Sequence, residues 1–310
     1  MSGLRVIEPG VWTTVQDLGR FGQRAFGVPV GGVFDRASAA LANALAGNAA
    51  SCAVLELTLR GGSYEAGVEL GVAFAGAAVD VSVVARGGRA RDLIAPSSTT
   101  LAPGDRLEVG AIRTGARVYL AVRSGWLTRP VLGSRSDERN VRAGETIPAA
   151  TSRLPGRRPA RWRYPAVAPE VATIRVLNGP DSEHADPAWI DQDYRVNATS
   201  NRMGVRLESD WFVAVDSPED RVSMPVAPGA VQVAGGRLII LGPACGTMGG
   251  YPHLAHVVSA DLDRVGQLLP GQRVRFEPVT LDEARLLERE AREAIRRLGL
   301  ITATLALDEF

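Results

Sequence analysis

Glycine and proline set the terms for this chain, with 34 and 19 of them punctuating 310 residues. Glycine weakens helix interiors and proline removes a backbone donor, so long helices survive only where that punctuation lapses. Between the breaks lie short apolar runs. Residues 54–59, 68–74, 79–84, 117–122, 174–177, 238–241 and 274–276 read as strands. Many short strands joined by Gly/Pro turns point to barrels or sandwiches rather than a doubly wound parallel sheet. Two stretches read as helices. Residues 37–46 are rich in alanine and leucine and end at Gly47-Asn48. Residues 281–298 start with Thr280 and Glu283 in capping-box spacing and are expected to stop at Gly299, with Leu286, Leu287, Ala291, Ala294 and Leu298 as the packing stripe.

Composition removes several function classes. Thirty-five basic residues against 34 acidic ones leave a net charge of +1, so nothing electrostatic favours nucleic acid or an anionic membrane. Every basic residue is arginine. Without lysine the chain carries no Schiff-base lysine, no biotinyl-lysine and no phosphate-cradling P-loop lysine. The start, MSGLRVIEPG, lacks the pattern of a secretory signal, and no apolar run reaches membrane-spanning length, so a cytoplasmic location is expected. Cys52 and Cys245 sit among small and apolar residues and read as buried reduced thiols. Cys245 lies in a loop, where a nucleophilic role would need a neighbouring base.

The length accommodates two domains. Leu101-Ala102-Pro103-Gly104-Asp105-Arg106-Leu107 is echoed by Leu269-Pro270-Gly271-Gln272-Arg273-Val274, each a turn feeding a strand. Residues 151–170 are rich in Pro and Arg and read as a linker between domains at 1–150 and 171–310.

Candidate chemistry concentrates in two blocks. The first, residues 13–48, holds Gly31-Gly32, Asp35 and the alanine-rich helix with Asn43. Asp35 reads either as the helix N-cap or as a carboxylate at a pocket mouth, serving as base or as acceptor for an amide N–H. Glu56, in a strand, is either a barrel-lumen acid or a solvent-exposed one. The second block contains Thr247, Gly249-Gly250-Tyr251-Pro252 and Asp261. Between the blocks, Asn201-Arg202-Met203-Gly204 reads as a turn, with Arg202 either binding a carboxylate or tying loops through backbone carbonyls. His184, His253 and His256 are the only histidines, in no helical zinc spacing, and no metal site is expected. No G-x-S-x-G elbow supports a serine triad.

These residues, in this order, resemble the allophanate hydrolase subunit 2 family, also described as the C subunit of bacterial 5-oxoprolinase or the biotin-dependent carboxyltransferase domain family. The resemblance runs over nearly the whole chain, through Thr13-Thr14-Val15-Gln16-Asp17-Leu18-Gly19-Arg20, Leu55-Glu56-Leu57, Gly133-Ser134-Arg135-Ser136, Asn201-Arg202-Met203-Gly204 and Gly249-Gly250-Tyr251-Pro252. It implies two cyclophilin-like β-barrel domains and a hydrolase subunit that works with a subunit 1 type partner, in some members with a lactamase-type third subunit. ATP is implied as a cosubstrate, with a partner chain as one place for it. The implied substrate is a small planar lactam or urea: 5-oxoproline, allophanate or urea. On this resemblance Asp35 and Arg202 are the catalytic candidates, and Asn43, Glu56, Asn201, Thr247 and Tyr251 the substrate-binding ones. Two other readings stay open: a non-catalytic scaffold or regulator of subunit 1, and a carboxyltransferase component using a partner's carboxybiotin. The chain departs from the family's D-x-Q-T-T before Gly-Gly-Tyr-Pro, having Ala244-Cys245-Gly246-Thr247-Met248, and carries Ala78 where the family has an acid.

Overall fold

Eleven strands form the first half of the chain: β1 (Gly3–Glu8), β2 (Trp12–Gln16), β3 (Val54–Thr58), β4 (Arg60–Ala66), β5 (Leu70–Gly76), β6 (Val79–Val84), β7 (Ala90–Ile94), β8 (Ser97–Leu101), β9 (Arg106–Ile112), β10 (Arg117–Val122) and β11 (Thr146–Pro148). Nine follow: β12 (Val171–Asn178), β13 (Tyr194–Val196), β14 (Gly204–Glu208), β15 (Met224–Pro225), β16 (Ala230–Ala234), β17 (Arg237–Leu241), β18 (Met248–Gly249), β19 (His253–Val257) and β20 (Arg273–Pro278). The helices are α1 (Arg36–Leu45), α2 (Leu262–Val265) and α3 (Leu281–Thr304). This is a computed structural model describing residues 2–159, 169–216 and 221–304, with side chains in α3 through Leu298. The mainly β expectation holds, and each strand read from the sequence is present.

The chain divides into two units. The first comprises Met1–Gly19, Arg36–Val167 and the end from Glu293; the second comprises Arg20–Asp35 and Ala168–Arg292. Residues 20–35, which the sequence division left in the first domain, thus group with the second.

In the first unit the strands form two antiparallel sheets, β11-β1-β4-β9-β6-β7 and β2-β3-β10-β5-β8. Alternation decides what each face meets. Leu55 and Leu57 of β3, Val72 and Phe74 of β5, and Val118 and Leu120 of β10 join one apolar core with Leu4, Val6, Tyr64, Leu107 and Val109 of the other sheet. The opposite face of the five-stranded sheet is small or polar: Ala73, Ala75 and Ala121, then Glu56, Arg117 and Tyr119. Helix α1 packs on β5 and β10, with Ala39, Leu41, Ala42 and Leu45 among its buried residues. The expected linker is partly built into this unit. Leu154 N donates to Thr100 Oγ1 at 2.9 Å and Ser98 N to the Arg157 carbonyl at 2.9 Å, so residues 151–159 run along β8. Residues 160–168 of that expectation lie outside the described residues.

The second unit closes into a seven-stranded barrel, β12-β19-β16-β17-β14-β13-β20. The parallel pairing of β12 with β20 completes it; the other barrel pairings are antiparallel. Its core includes Ile174, Val176, Val205, Leu207, Val231, Ile240, Leu254 and Val274, with Phe276 packed tilted on Trp189 at 5.5 Å and on Tyr194 at 5.7 Å. Phe34, from the transferred segment, is part of the same core and only 3% exposed. Two glycines make room for it. A Cβ on Gly242 would lie 3.2 Å from Phe34 Cε1, and one on Gly266 3.0 Å from the Phe34 backbone.

The Pro-Gly echo is an atomic one. Gly104 and Gly271 both take positive φ, 87° and 81°. In each turn the following residue returns a backbone bond across three positions, Asp105 N to Ala102 O at 2.9 Å and Gln272 N to Leu269 O at 3.0 Å. Each also accepts from that same residue's N–H through its side chain, at 2.9 and 3.0 Å. The capping box of α3 is formed, with Thr280 N donating to Glu283 Oε2 at 2.7 Å and Glu283 N to Thr280 Oγ1 at 3.3 Å. Gly299 does not end α3, which continues to Thr304. A lone helical glycine costs about 1 kcal/mol relative to alanine, and without a proline behind it that does not break a helix.

Phe34→Ala empties a site in the barrel core that has no other occupant. It should destabilise the second unit by about 3–5 kcal/mol, seen as an earlier midpoint in guanidinium unfolding followed by Trp189 fluorescence.

Candidate functional site

Asp35 is the sequence candidate that the fold treats most specifically. It closes the segment Gly31-Gly32-Val33-Phe34-Asp35, which is fixed within the second unit at four points. Gly31 N donates to the Pro243 carbonyl at 2.9 Å. Arg202 Nη2 donates to the Gly32 carbonyl at 2.6 Å from a side chain that is 5% exposed. Phe34 is the core anchor already described. Gln267 Nε2 donates to Asp35 Oδ2 at 2.8 Å, with Asp35 only 2% exposed. The two glycines have φ of 66° and 87°, so the turn uses a left-handed pair that side chains resist. The backbone around Arg202 is tied in as well: Ala244 N donates to its carbonyl at 3.1 Å, and Gly242 N to that of Met203 at 2.9 Å. Arg202 therefore makes the loop-tying contact foreseen as one of its two readings. Asp35 directly precedes α1, the position of an N-cap.

The loop from Gly242 to Tyr251 is the second part of the site. Val226 N donates to the Thr247 carbonyl at 3.0 Å, and the two-residue ladder of β15 with β18 pairs Met224 with Gly249. Gln232, 3% exposed, donates to the Tyr251 carbonyl at 3.3 Å, leaving the Tyr251 ring 55% exposed. Asp181 anchors the far side. Arg221 grips it with two bonds of 2.9 and 2.6 Å, and His253 N adds a third at 2.7 Å. Burial works against the Asp181 carboxylate, yet these donors hold it below its ordinary range. Burial pushes His253 and His256 down, so both rings, 5.6 Å apart, are neutral near pH 7. Burial also pushes the Cys245 thiol up, against the pull of the Arg24 guanidinium beside it. A thiol held protonated is not an activated nucleophile. Among the described residues no three His, Cys, Asp or Glu side chains are grouped to hold a metal ion.

The remaining candidates are committed elsewhere. Asn43, in the first unit, braces the loop after α1: Nδ2 donates to the Cys52 carbonyl at 2.8 Å and Oδ1 accepts from Asn48 at 3.1 Å. Glu56 is not solvent-exposed; at 1% exposure it accepts from Arg117 Nε at 3.1 Å and from the Tyr119 hydroxyl at 3.0 Å. Asn201 is exposed and closes its own turn through Met203 N at 2.9 Å. Asp261 is wholly buried and accepts from Arg175 N and Nε at 2.9 Å each, a clamp of the barrel wall. Asp17 gathers Ser134, Ser136, Arg135 N and Gly19 N at 2.6 to 2.8 Å.

With this geometry in place, comparison with known proteins becomes decisive. The family model for the carboxyltransferase domain, subdomain A and B, matches residues 26–278. The chain belongs to this family. It is 31% identical over 305 residues to the 5-oxoprolinase C subunit of Escherichia coli K12, covering 91% of this chain and 93% of that protein. It is 29% identical to urea amidolyase of Lachancea kluyveri over 94% of this chain, yet spans only 18% of that longer protein. Among solved structures, the urea amidolyase of K. lactis superposes with a TM-score of 0.83 at 25% identity, covering 96% of this chain and 20% of that one. TTHA0988 superposes with a TM-score of 0.77 at 33% identity, covering 89% of this chain and 56% of that one.

Sequence reasoning missed Gln267 and Phe34. Gln267 meets Asp35 across 232 residues, a pairing that no local pattern announces. The two glycines flanking Phe34 were the available signal, but glycines are too common here to stand out.

Glu56→Ala would remove the buried carboxylate that Arg117 and Tyr119 bond and should cost about 3–5 kcal/mol, measured as a drop in chemical stability of the first unit. Acidification should act in two stages. A histidine held below its ordinary value near ~6.5 makes folding less favourable as pH falls through that region. A carboxylate held below its unfolded value supports the fold above that value and loses this on further acidification. Asp181→Asn should therefore flatten the lower stage of a stability-against-pH curve and leave the stage near ~6.5 in place.

Proposed function

We propose that this chain is a subunit of an ATP-linked hydrolase complex that opens a small lactam or urea-type amide, in the manner of the 5-oxoprolinase C subunit. The observation that carries this reading is the match to 93% of that protein, joined to a buried carboxylate, Asp35, held by an amide donor. In the reading, Asp35 accepts the N–H of the substrate amide, or takes up its proton, while the Gly31-Gly32 turn held by Arg202 keeps the carboxylate in register. Thr247 and Tyr251 line the loop available to the rest of the substrate. The chain has no lysine and so no P-loop of the phosphate-cradling kind. The reading therefore gives nucleotide binding to a partner of the subunit 1 type, with a lactamase-type chain as a third member and a cytoplasmic setting.

A second reading is favoured by one feature. Where the family carries an acid, an amide and a hydroxyl, this chain has Ala244, Gly246 and Met248, with Met248 53% exposed. Those changes suit a partner that scaffolds or regulates subunit 1 without turning substrate over. Carboxyl transfer from biotin is a third possibility raised by the family's name; lacking lysine, the chain would draw carboxybiotin from another protein.

The test is reconstitution with the subunit 1 type and lactamase-type partners, following ATP-dependent glutamate release from 5-oxoproline and ammonia release from allophanate. Turnover that vanishes when this chain is omitted is the expected result. A stable complex with no turnover favours the scaffold, and turnover abolished by avidin favours carboxyl transfer.

A further inference from the structure

We infer that Arg24 binds a carboxylate of the substrate, so that the amide opened is one carrying an acid group beside its N–H; this rests on the amide-hydrolase reading above. Arg24 opens a single 3₁₀ turn, Arg24–Phe26, in the segment that groups with the second unit. Gly27 closes the turn at φ 78°, its N–H donating to the Arg24 carbonyl at 3.0 Å. The loop from Gly242 to Tyr251 holds this segment at two places. Its Pro243 carbonyl accepts from Gly31 N at 2.9 Å, and two residues further on the Cys245 thiol meets the Arg24 guanidinium. One short stretch of loop thus fixes both Arg24 and the Gly31-Gly32 turn that leads to Asp35.

The protein leaves this guanidinium under-used. Arg24 Nη1 is buried without a hydrogen-bond partner, and among the described residues no carboxylate pairs with the side chain. Its polar neighbour Cys245 is 2% exposed, and burial keeps that thiol protonated, so it brings no negative charge. Buried donors are nearly always paired, and an unpaired one on a cation costs more than a neutral one. An anion with two adjacent oxygens answers the unmet N–H and the unmet charge together, because a planar guanidinium meets it with two parallel bonds. Among such anions, a carboxylate is the one that the amides of the hydrolase reading carry. 5-Oxoproline and allophanate each present it next to the amide; urea and a plain lactam present none. Asp35 then receives the N–H of the substrate and Arg24 its acid group.

The experiment compares ligands that differ in the carboxylate: 5-oxoproline against 2-pyrrolidinone, and allophanate against urea. Each is tested on the reconstituted complex, wild type and Arg24→Met, by equilibrium binding without ATP and by kcat/KM with it. Arg24→Met keeps the apolar stem and removes the fork. Should it fail to fold, Arg24→Lys, which keeps the charge without the fork, takes its place with a smaller loss expected. The wild type should prefer the acid of a pair by about 10- to 100-fold. Arg24→Met should lower affinity for the acid to within about threefold of its carboxylate-free counterpart, whose own affinity stays unchanged. Equal losses for both members of a pair, or an unchanged preference, overturn the inference and leave the hydrolase reading standing. So does a folded Arg24→Met chain that no longer assembles with its partners, which assigns Arg24 to an acid of another chain. Arg24-dependent binding of the acid without turnover keeps the inference and overturns the hydrolase reading. Neither binding nor turnover of any of these compounds overturns both.

Discussion

The insertion of Phe34 into the core of the barrel is the contact on which the candidate site depends. Fully burying a side chain of this size contributes on the order of 1.5–3 kcal/mol, comparable to a hydrogen bond that involves a charged group. It also sets the position of everything covalently next to it. Asp35 follows a buried neighbour; a Cβ at 266 would crowd the backbone and side chain of Phe34, while one at 242 would first meet the Arg202 carbonyl. Arg202 and Gln267 then refine what the apolar contact has fixed: one holds the carbonyl of Gly32, the other an oxygen of Asp35. Hydrophobic burial supplies the energy here and polar contacts supply the direction.

The buried charges follow a common rule, which is that each has donors or acceptors to offset the loss of water. Glu56 has a guanidinium and a phenol, and Asp261 an arginine and a backbone amide; half-buried Asp17 follows suit with two hydroxyls and two amides. Asp35 accepts from the side-chain amide of Gln267, which lies 232 residues away in sequence. A cation clamped on Glu56 or Asp261 ties a carboxylate to the framework.

Much of the fold was legible because strand formation here is local. Alternation over five or six residues identified the segments that became β3, β6, β10 and β17, and the Thr280–Glu283 capping box marked the start of α3. The family resemblance was carried by short runs in fixed order and agrees with the family model. What could not be read was long-range. No local pattern shows that residues 20–35 leave one unit to complete the other, or that residue 267 will face residue 35. Gly299 shows the complementary error, a correct local preference outweighed by the helix around it. Glu56 was undecided because a strand residue opposite an apolar face is either wet or covered, and the sequence does not say what covers it.

The excursion of residues 20–35 has a topological consequence. Because a piece of the first half of the chain packs with the second unit and gives Phe34 to its core, a single cut does not separate the two units. A protein severed after residue 159 would leave its barrel without Phe34 and the Gly31-Gly32 turn, while the other fragment carried them away as an exposed apolar loop. The two pieces would have matching needs, and reassociation would restore both. Separating these units into independent chains would thus require moving the segment as well as dividing the sequence.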